Sequence, residues 1–445
     1  MMQMEAIGIQ NESRHDKNER IIFRLSCQDE REGIFSAELM IDKENTERGK
    51  GKVAMIRGLG IASGLGGGVD AQIAAMESGS DIFRPLSELW GHDHAWSAFK
   101  GAWIPDRSLF KGRRQGPASS LALCLARQAV ADAGWGTDEL KDAAIVVGTS
   151  RGNAAGWLGD WSGRRRVKLL SVPQSLHSEL ASCVSIELGI HGPYHVVSSG
   201  CAAGLDAVGL AWMLLKCGAA KRALAIGLDL PLVPLLLDTY FDSRMLSESG
   251  ANNPYHPAAD GMVISEGGAA IAMELDGKDG RKGCPVLLDY RANSDAYGPL
   301  GMPPSGEYMA ELMEKALDEI RLYGLELPLT VCPHASGTRG NAVSEQAALT
   351  RVFGDRDRDM PDFRLMKPWV GHAIGGSGIL ELALMTAFAR EGKLPPNFKG
   401  LAAPVDGVCL SESVDLAGSR VIMKSASSMG GHNALVSIGV GDAFS

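Results

Sequence analysis

The sequence predicts an α/β fold built from a duplicated unit, and three observations carry that expectation. Short apolar runs such as AAIVVGTS, HVVSSG, ALAIGLDL, GGAAIAMEL, LTVCPH and ALVSIGV recur along the chain, with helical segments between several of them. Buried strands alternating with helices are the pattern of an α/β architecture. Glycine is abundant, at 55 of 445 residues, which supplies tight turns and close backbone approaches. A weak internal repeat is also visible: GLDAVGLAWMLLKCG (204–218) and GILELALMTAFAREG (378–392) have the same glycine-to-glycine spacing. Each follows a small-residue turn, SSGCAA in one case and HAIGGS in the other, and each is apolar almost all round. Such helices lie inside a protein rather than on its surface, and two of them suggest halves packed face to face.

Taken in order, residues 1–52 are rich in charge and differ from the rest. IIFRLSCQ and GIFSAELMID, separated by DERE, form a hairpin or belong to a disordered extension. From Val53 the pattern becomes strand, turn, helix: VAMIRGLGIASGLG runs into a glycine turn, and SSLALCLARQAVADAGW is an amphipathic helix. The expected organisation is an extension (1–52), a first half carrying a nucleophilic cysteine (53–290) and a second half carrying a histidine pair (291–445).

Composition narrows the function. A formal net charge of −9 argues against a nucleic-acid partner. No run of about 18 apolar residues reads as a membrane span, and the start MMQMEAIGIQNESRHDKNER has no secretory apolar region. The eight cysteines form no CxxC pair and are scattered through apolar segments, as expected of reduced thiols in a cytoplasmic protein.

Cys201 stands apart from the other seven. HVVSSGCAAGLDAVG places it between a β-rich run and a helix, with small residues on both sides. A strand-to-helix turn holds a nucleophile clear of the sheet, and a helix N-terminus favours thiolate over thiol. His334 closes the strand LTVCPH, and His372 sits at a glycine-flanked strand–helix junction in KPWVGHAIGGSG. His92 and His94 in GHDH lack any third ligand, and no metal site is expected.

Cys201, His334 and His372, in that order, resemble the Cys–His–His triad of the β-ketoacyl-acyl-carrier-protein synthases. The resemblance runs from Val53 to the C-terminus through GLGIASGLG, LGIHGPYHVVSSGCAAGLDAVG, NPYHPAADGMVISEGGAAIAME, HASGTRGNAVSE, KPWVGHAIGGSG and SMGGHNALVSIG. It implies the thiolase fold, with duplicated α/β halves in five layers (α-β-α-β-α). It also implies an acyl-enzyme on Cys201, condensed with a decarboxylating malonyl thioester. The backbone N–H groups of Cys201 and Met429 would form an oxyanion hole, and His334 and His372 would stabilise the enolate. Lys367 and Glu345 would orient that pair, while Ser336 and Thr338 hold the pantetheine amide beside Met429 and Gly430. No cofactor is implied beyond the phosphopantetheine of an acyl carrier protein, and a homodimer is expected. GRRRVK (Arg164, Arg165, Arg166, Lys168) and KGRR (Lys111, Arg113, Arg114) are the basic clusters an acidic carrier protein would meet.

Several matched positions depart from that family. The usual Thr-Ala before the nucleophile is Ser199-Gly200, and the usual His-Gly-Thr is His334-Ala335-Ser336. DAYHxT reads Asp295-Ala296-Tyr297-Gly298-Pro299-Leu300. The usual Phe-Gly-Phe-Gly-Gly-Thr-Asn reads Ser427-Ser428-Met429-Gly430-Gly431-His432-Asn433. Met429 replaces a gating Phe, and an adaptable unbranched side chain there predicts an acyl chain of unusual shape in a specialised lipid or polyketide pathway. A thiolase would show a second catalytic cysteine in this loop, and a chain-length-factor-like partner subunit would have lost Cys201.

Overall fold

The structure, a computed structural model, describes residues 20–29, 33–42, 53–110, 112, 114–158, 171–276, 284–322, 327–354, 360–412, 415–416 and 418–444. Contacts divide the chain into two units, Met1–Lys52 and Val53–Ser445. In the first, Arg20–Asp29 and Gly33–Asp42 pair antiparallel, with Arg20 opposite Asp42 and Asp29 opposite Gly33.

The second unit is organised around one extended sheet. Its first five long strands are β1 (Val53–Ser63), β2 (Ala144–Gly148), β3 (Tyr194–Val197), β4 (Arg222–Asp229) and β5 (Gly267–Asp276). Five more follow: β6 (Val286–Ser294), β7 (Leu329–Cys332), β8 (Asp362–Phe363), β9 (Arg420–Ser427) and β10 (His432–Val440). Their spatial order is β8-β7-β9-β10-β6-β1-β5-β4-β2-β3. Each half therefore has the same internal order, in which the second strand is flanked by the third and fourth and the fifth pairs with the first.

Orientation repeats as well. β2 is parallel to β3 and β4, and β7 is parallel to β8 and β9. β5 is antiparallel to β4 and β1, and β10 to β9 and β6. Within the sheet the halves meet where β6 pairs with β1, Val286 opposite Met55 and Leu287 opposite Ala54. β6 belongs to the second repeat, so the boundary expected at 290 falls inside this strand; the repeats part between Asp276 and Val286.

The repeated helices named from sequence are α2 (Ala203–Lys216) and α5 (Ser377–Arg390), the first following α1 (Pro117–Ala133) in the chain. Every residue of α5 from Ser377 to Ala389 is buried. The two pack directly together, because glycine occupies the equivalent position in each. A Cβ on Gly204 would lie 2.7 Å from the Gly375 carbonyl oxygen, and one on Gly378 would lie 2.7 Å from Leu205 Cγ. On the outer faces, α1 covers the first repeat, while α3 (Glu307–Leu322) and α4 (Arg339–Phe353) cover the second. Helices thus lie outside, between and outside the two sheet halves, five layers in all.

Two glycines test this packing. Gly204→Val should lower unfolding free energy by about 2–3 kcal/mol, since the neighbouring backbone oxygen cannot yield cheaply. Gly340→Ala, in α4 with nothing within 4 Å of the added Cβ, should raise it by about 0.5–1 kcal/mol. Urea unfolding curves measure both, and equal effects would contradict the close crossing.

Candidate active site

Both repeats contribute to one cluster. β3 ends at Val197, and the chain turns through Gly200 (φ +62°) and a short 3-10 turn, Gly200–Ala202, into α2. That turn presents Cys201. His334 follows β7, as expected. His372 follows a one-turn helix, Lys367–Val370, rather than a strand, and bridges to Ile264. The turn Ile374–Gly376 then leads into α5. Cys201 Sγ and one imidazole nitrogen from each of His334 and His372 lie within 4.8 Å of one another. The two rings meet edge to face, with centroids 5.3 Å apart. Among the described residues this trio is the grouping compact enough to hold a metal ion.

Backbone contacts settle the His372 tautomer. The Ile374 N–H donates to His372 Nδ1 at 3.1 Å, and Ser377 Oγ lies 2.9 Å from the same atom. An N–H can only donate, so Nδ1 is unprotonated and Nε2 carries the hydrogen. Burial, reinforced by Lys367 and Lys424, holds both imidazoles well below the ordinary histidine value. Both are therefore neutral at pH 7.

Lys367 and Glu345 do not pair with each other; each grips the His334 backbone. Glu345 accepts the His334 N–H at 2.5 Å, and the Ala335 N–H and Tyr255 hydroxyl at 2.8 Å each. Lys367 Nζ donates to the His334 carbonyl oxygen and, at 2.7 Å, to Glu381. Lys424 Nζ completes the network, 2.8 Å from both Glu381 and the Pro333 carbonyl oxygen. Glu381 and Lys424 escaped the sequence reading. The signal was present, since each is a lone charge in an apolar stretch, GILELALMTAF and VIMKSA, and buried charges need partners. Asp229, also missed, accepts the Thr149 hydroxyl and the amides of Ser150, Arg151 and Gly375 at 2.8–2.9 Å. It ties the end of β2 to the turn before α5.

Ser336 and Thr338 share a 2.9 Å hydroxyl contact, and the Ser336 amide donates to Asn341 Oδ1. Met429 is half-buried and Gly430 (φ +84°) exposed in the loop between β9 and β10. That loop is anchored twice. The Asp295 N–H donates to the Gly431 carbonyl oxygen at 2.8 Å. His432 Nε2 lies 2.9 Å from Asp206, which also accepts the hydroxyls of Ser199 and, at 2.8 Å, Tyr290. Arg164, Arg165, Arg166 and Lys168, with Lys111 and Arg113, lie outside the described residues.

One expectation is corrected. Cys201 packs against an apolar cluster that includes Trp96, Leu237, Tyr240, Met262 and Ile374. Removal from water pushes its thiol up to about 11, with Asp229 adding to the rise and Lys367 and Arg151 opposing it. The helix N-terminus does not outweigh this burial, and the resting group is a thiol.

Iodoacetamide alkylation of Cys201 should accordingly rise about tenfold per pH unit from pH 7 to 10; a plateau near 8.5 would contradict the raised value. For His432, the Asp206 carboxylate 2.9 Å away holds the ring above its ordinary value despite burial. A raised folded value stabilises the protonated form, fully below about 6.5 and progressively less as pH climbs through that value. The melting-temperature gap between wild type and His432→Gln should therefore narrow as pH rises above about 6.5.

Known proteins resemble this chain in sequence and in fold. The family profile described as beta-ketoacyl synthase, N-terminal domain, covers residues 55–277, and that of the C-terminal domain covers 285–400. The tetracenomycin polyketide synthase ketoacyl synthase alpha subunit of Streptomyces glaucescens is 32% identical over 311 residues, covering 63% of this chain and 70% of that protein. The 3-oxoacyl-[acyl-carrier-protein] synthase 2 of a Synechocystis strain is 25% identical over 368 residues, 78% of this chain and 87% of that one. Among solved structures, a type II polyketide ketosynthase bound to its acyl-carrier protein has a TM-score of 0.73 at 21% identity, covering 87% of this chain and 99% of its own. The ishigamide ketosynthase/chain length factor gives 0.73 at 22%, with the same coverage. On its matched domains, its duplicated five-layer thiolase fold and its cysteine facing two histidines, the chain belongs to the beta-ketoacyl synthase family of condensing acyltransferases.

Proposed function

We propose that the protein loads an acyl chain onto Cys201 and extends it with a malonyl-type unit delivered by an acyl carrier protein. The observation that carries this reading is the convergence of Cys201 Sγ with two neutral, buried imidazoles. In the first half-reaction Sγ attacks the thioester carbonyl, a new S–C bond forms and the pantetheine sulfur leaves. The thiol proton passes by way of the His334 ring to the departing sulfur. The acyl chain then lies against the apolar cluster around Trp96, Tyr240 and Ile374.

In the second half-reaction the C–CO₂ bond of the extender breaks and its electron pair forms an enolate. His372 Nε2–H and His334 donate to the enolate oxygen. The enolate carbon attacks the acyl carbonyl, the C–C bond forms, and the Cys201 sulfur is released. Lys367 and Glu345 hold the His334 backbone throughout, and Ser336 and Thr338 bind the pantetheine arm. Polyketide ketosynthases among the relatives support a polyketide or specialised lipid product, with Met429 shaping which chain enters. A non-condensing partner subunit would not need Cys201, both histidines and their buried network.

A second subunit fits the free edge of the sheet. Among the described residues β3 is its last strand, and Tyr194 on it is exposed. An unpaired edge strand is a surface for another chain, a second copy or a related subunit. Among the described residues no helix is long and apolar enough to cross a membrane.

Intact-mass analysis after incubation with acyl and malonyl thioesters tests the reading. Wild type should gain the acyl mass, Cys201→Ala should not, and His372→Ala should still acylate while losing extender decarboxylation by about 100-fold or more. No adduct with any thioester would favour the partner-subunit role.

A further inference from the structure

Two residues beside the nucleophile fit each other in a way the family pattern does not require. A Cβ on Gly200 would fall 2.0 Å from Ser428 Oγ, so glycine at one position makes room for a hydroxyl at the other. Ser428 is buried, and its amide donates to the His432 carbonyl oxygen at 2.8 Å. Its Oγ accepts the Cys201 backbone N–H at 3.1 Å and donates to the adjacent Met429 carbonyl oxygen at 3.2 Å. The Met429 N–H has no hydrogen-bond partner among the described residues.

The Cys201 N–H is thus already engaged, at the place where the carbonyl oxygen of a thioester on Cys201 needs a donor. The hydroxyl's own donated bond is long for O–H···O, where about 2.7–2.8 Å is usual, and it goes to the next residue in the chain. Turning it away costs little. A hydroxyl that accepts a hydrogen bond is also polarised into a better donor.

We propose that the Ser428 hydroxyl is itself an oxyanion donor, turning from the Met429 carbonyl to the substrate oxygen while still accepting the Cys201 N–H. The inference rests on the acyl-enzyme reading above. When Sγ adds to the carbonyl carbon, the π pair moves to oxygen, which then accepts the Ser428 O–H and the Met429 N–H. Collapse restores the carbonyl and expels the pantetheine sulfur, which takes the proton that Cys201 released. Ser428 keeps its own proton throughout.

The test compares acylation by hexanoyl pantetheine with alkylation by iodoacetamide, which needs the Cys201 sulfur but no oxyanion donor. Ser428→Ala should slow acylation by about 10- to 100-fold, with KM and the alkylation rate near wild type, and Ser428→Thr should recover much of the loss. Acylation that is unchanged or faster in Ser428→Ala makes the hydroxyl a plug rather than a donor and overturns the proposal. So does a parallel fall in alkylation, which marks a merely structural role. A wild type that takes no acyl group removes the acyl-enzyme reading and this inference together; normal wild-type acylation beside an equally fast variant removes only the inference.

Discussion

The close crossing of α2 and α5 is the constraint from which the rest follows. Gly204 and Gly378 let Ile379 and Leu205 of the facing helix seat against bare backbone, and the residues just before each helix are brought to one point. Cys201 precedes α2 and His372 precedes α5, so a duplicated topology becomes a single asymmetric site. Asp229 locks this arrangement by accepting amides from the end of β2 and from Gly375. Neither repeat alone holds both Cys201 and the histidine pair.

Burial of that site creates an electrostatic problem, which the second repeat solves. Two neutral imidazoles are wanted, yet two ammonium groups are buried within range of them. Glu381 lies between Lys367 and Lys424 at 2.7 and 2.8 Å, and the remaining donors go to the carbonyls of Pro333 and His334. A buried ion network of this kind adds little net stability, but removing one member leaves an uncompensated charge costing about 3–5 kcal/mol. Its benefit is placement. The carbonyl of His334 is pulled towards the lysine while its amide is held by Glu345, so the ring is aimed by its backbone. The same lysines, together with burial, keep the imidazoles unprotonated.

Much of this was legible from residue patterns. The repeat was visible because α2 and α5 are apolar on every face, and Cys201, His334 and His372 were visible because glycines surround functional turns. Partners were less visible, because sequence spacing does not say which buried charges meet. Lys367 stood fourteen residues from Glu381 on the same side of the chain, whereas Lys424 came from a distant strand. The state of the Cys201 thiol was misread for a related reason. A helix terminus is local and can be read from a motif, but desolvation depends on what the fold packs around the sulfur. Residue 290 falls inside β6, whose place in the second repeat emerges only from its pairing with β10.

The departures from the family pattern are coupled rather than scattered. Ser199, Gly200, Ser428 and His432 all differ from the usual residues, and the structure places them around one turn and one loop. Gly200 accommodates Ser428, Ser428 binds the Cys201 amide, and the His432 carbonyl binds the Ser428 amide. The His432 ring and the Ser199 hydroxyl then meet on Asp206, at the start of α2. Changing one of these positions back would strand its partners: alanine at Gly200 would collide with Ser428, and threonine at His432 would remove the imidazole beside Asp206. The four substitutions therefore form one physical unit joining the nucleophile turn to the loop that carries Met429. A family-typical turn with a family-typical loop would be a different solution to the same chemistry, and intermediates between the two carry a clash or an unpaired buried group.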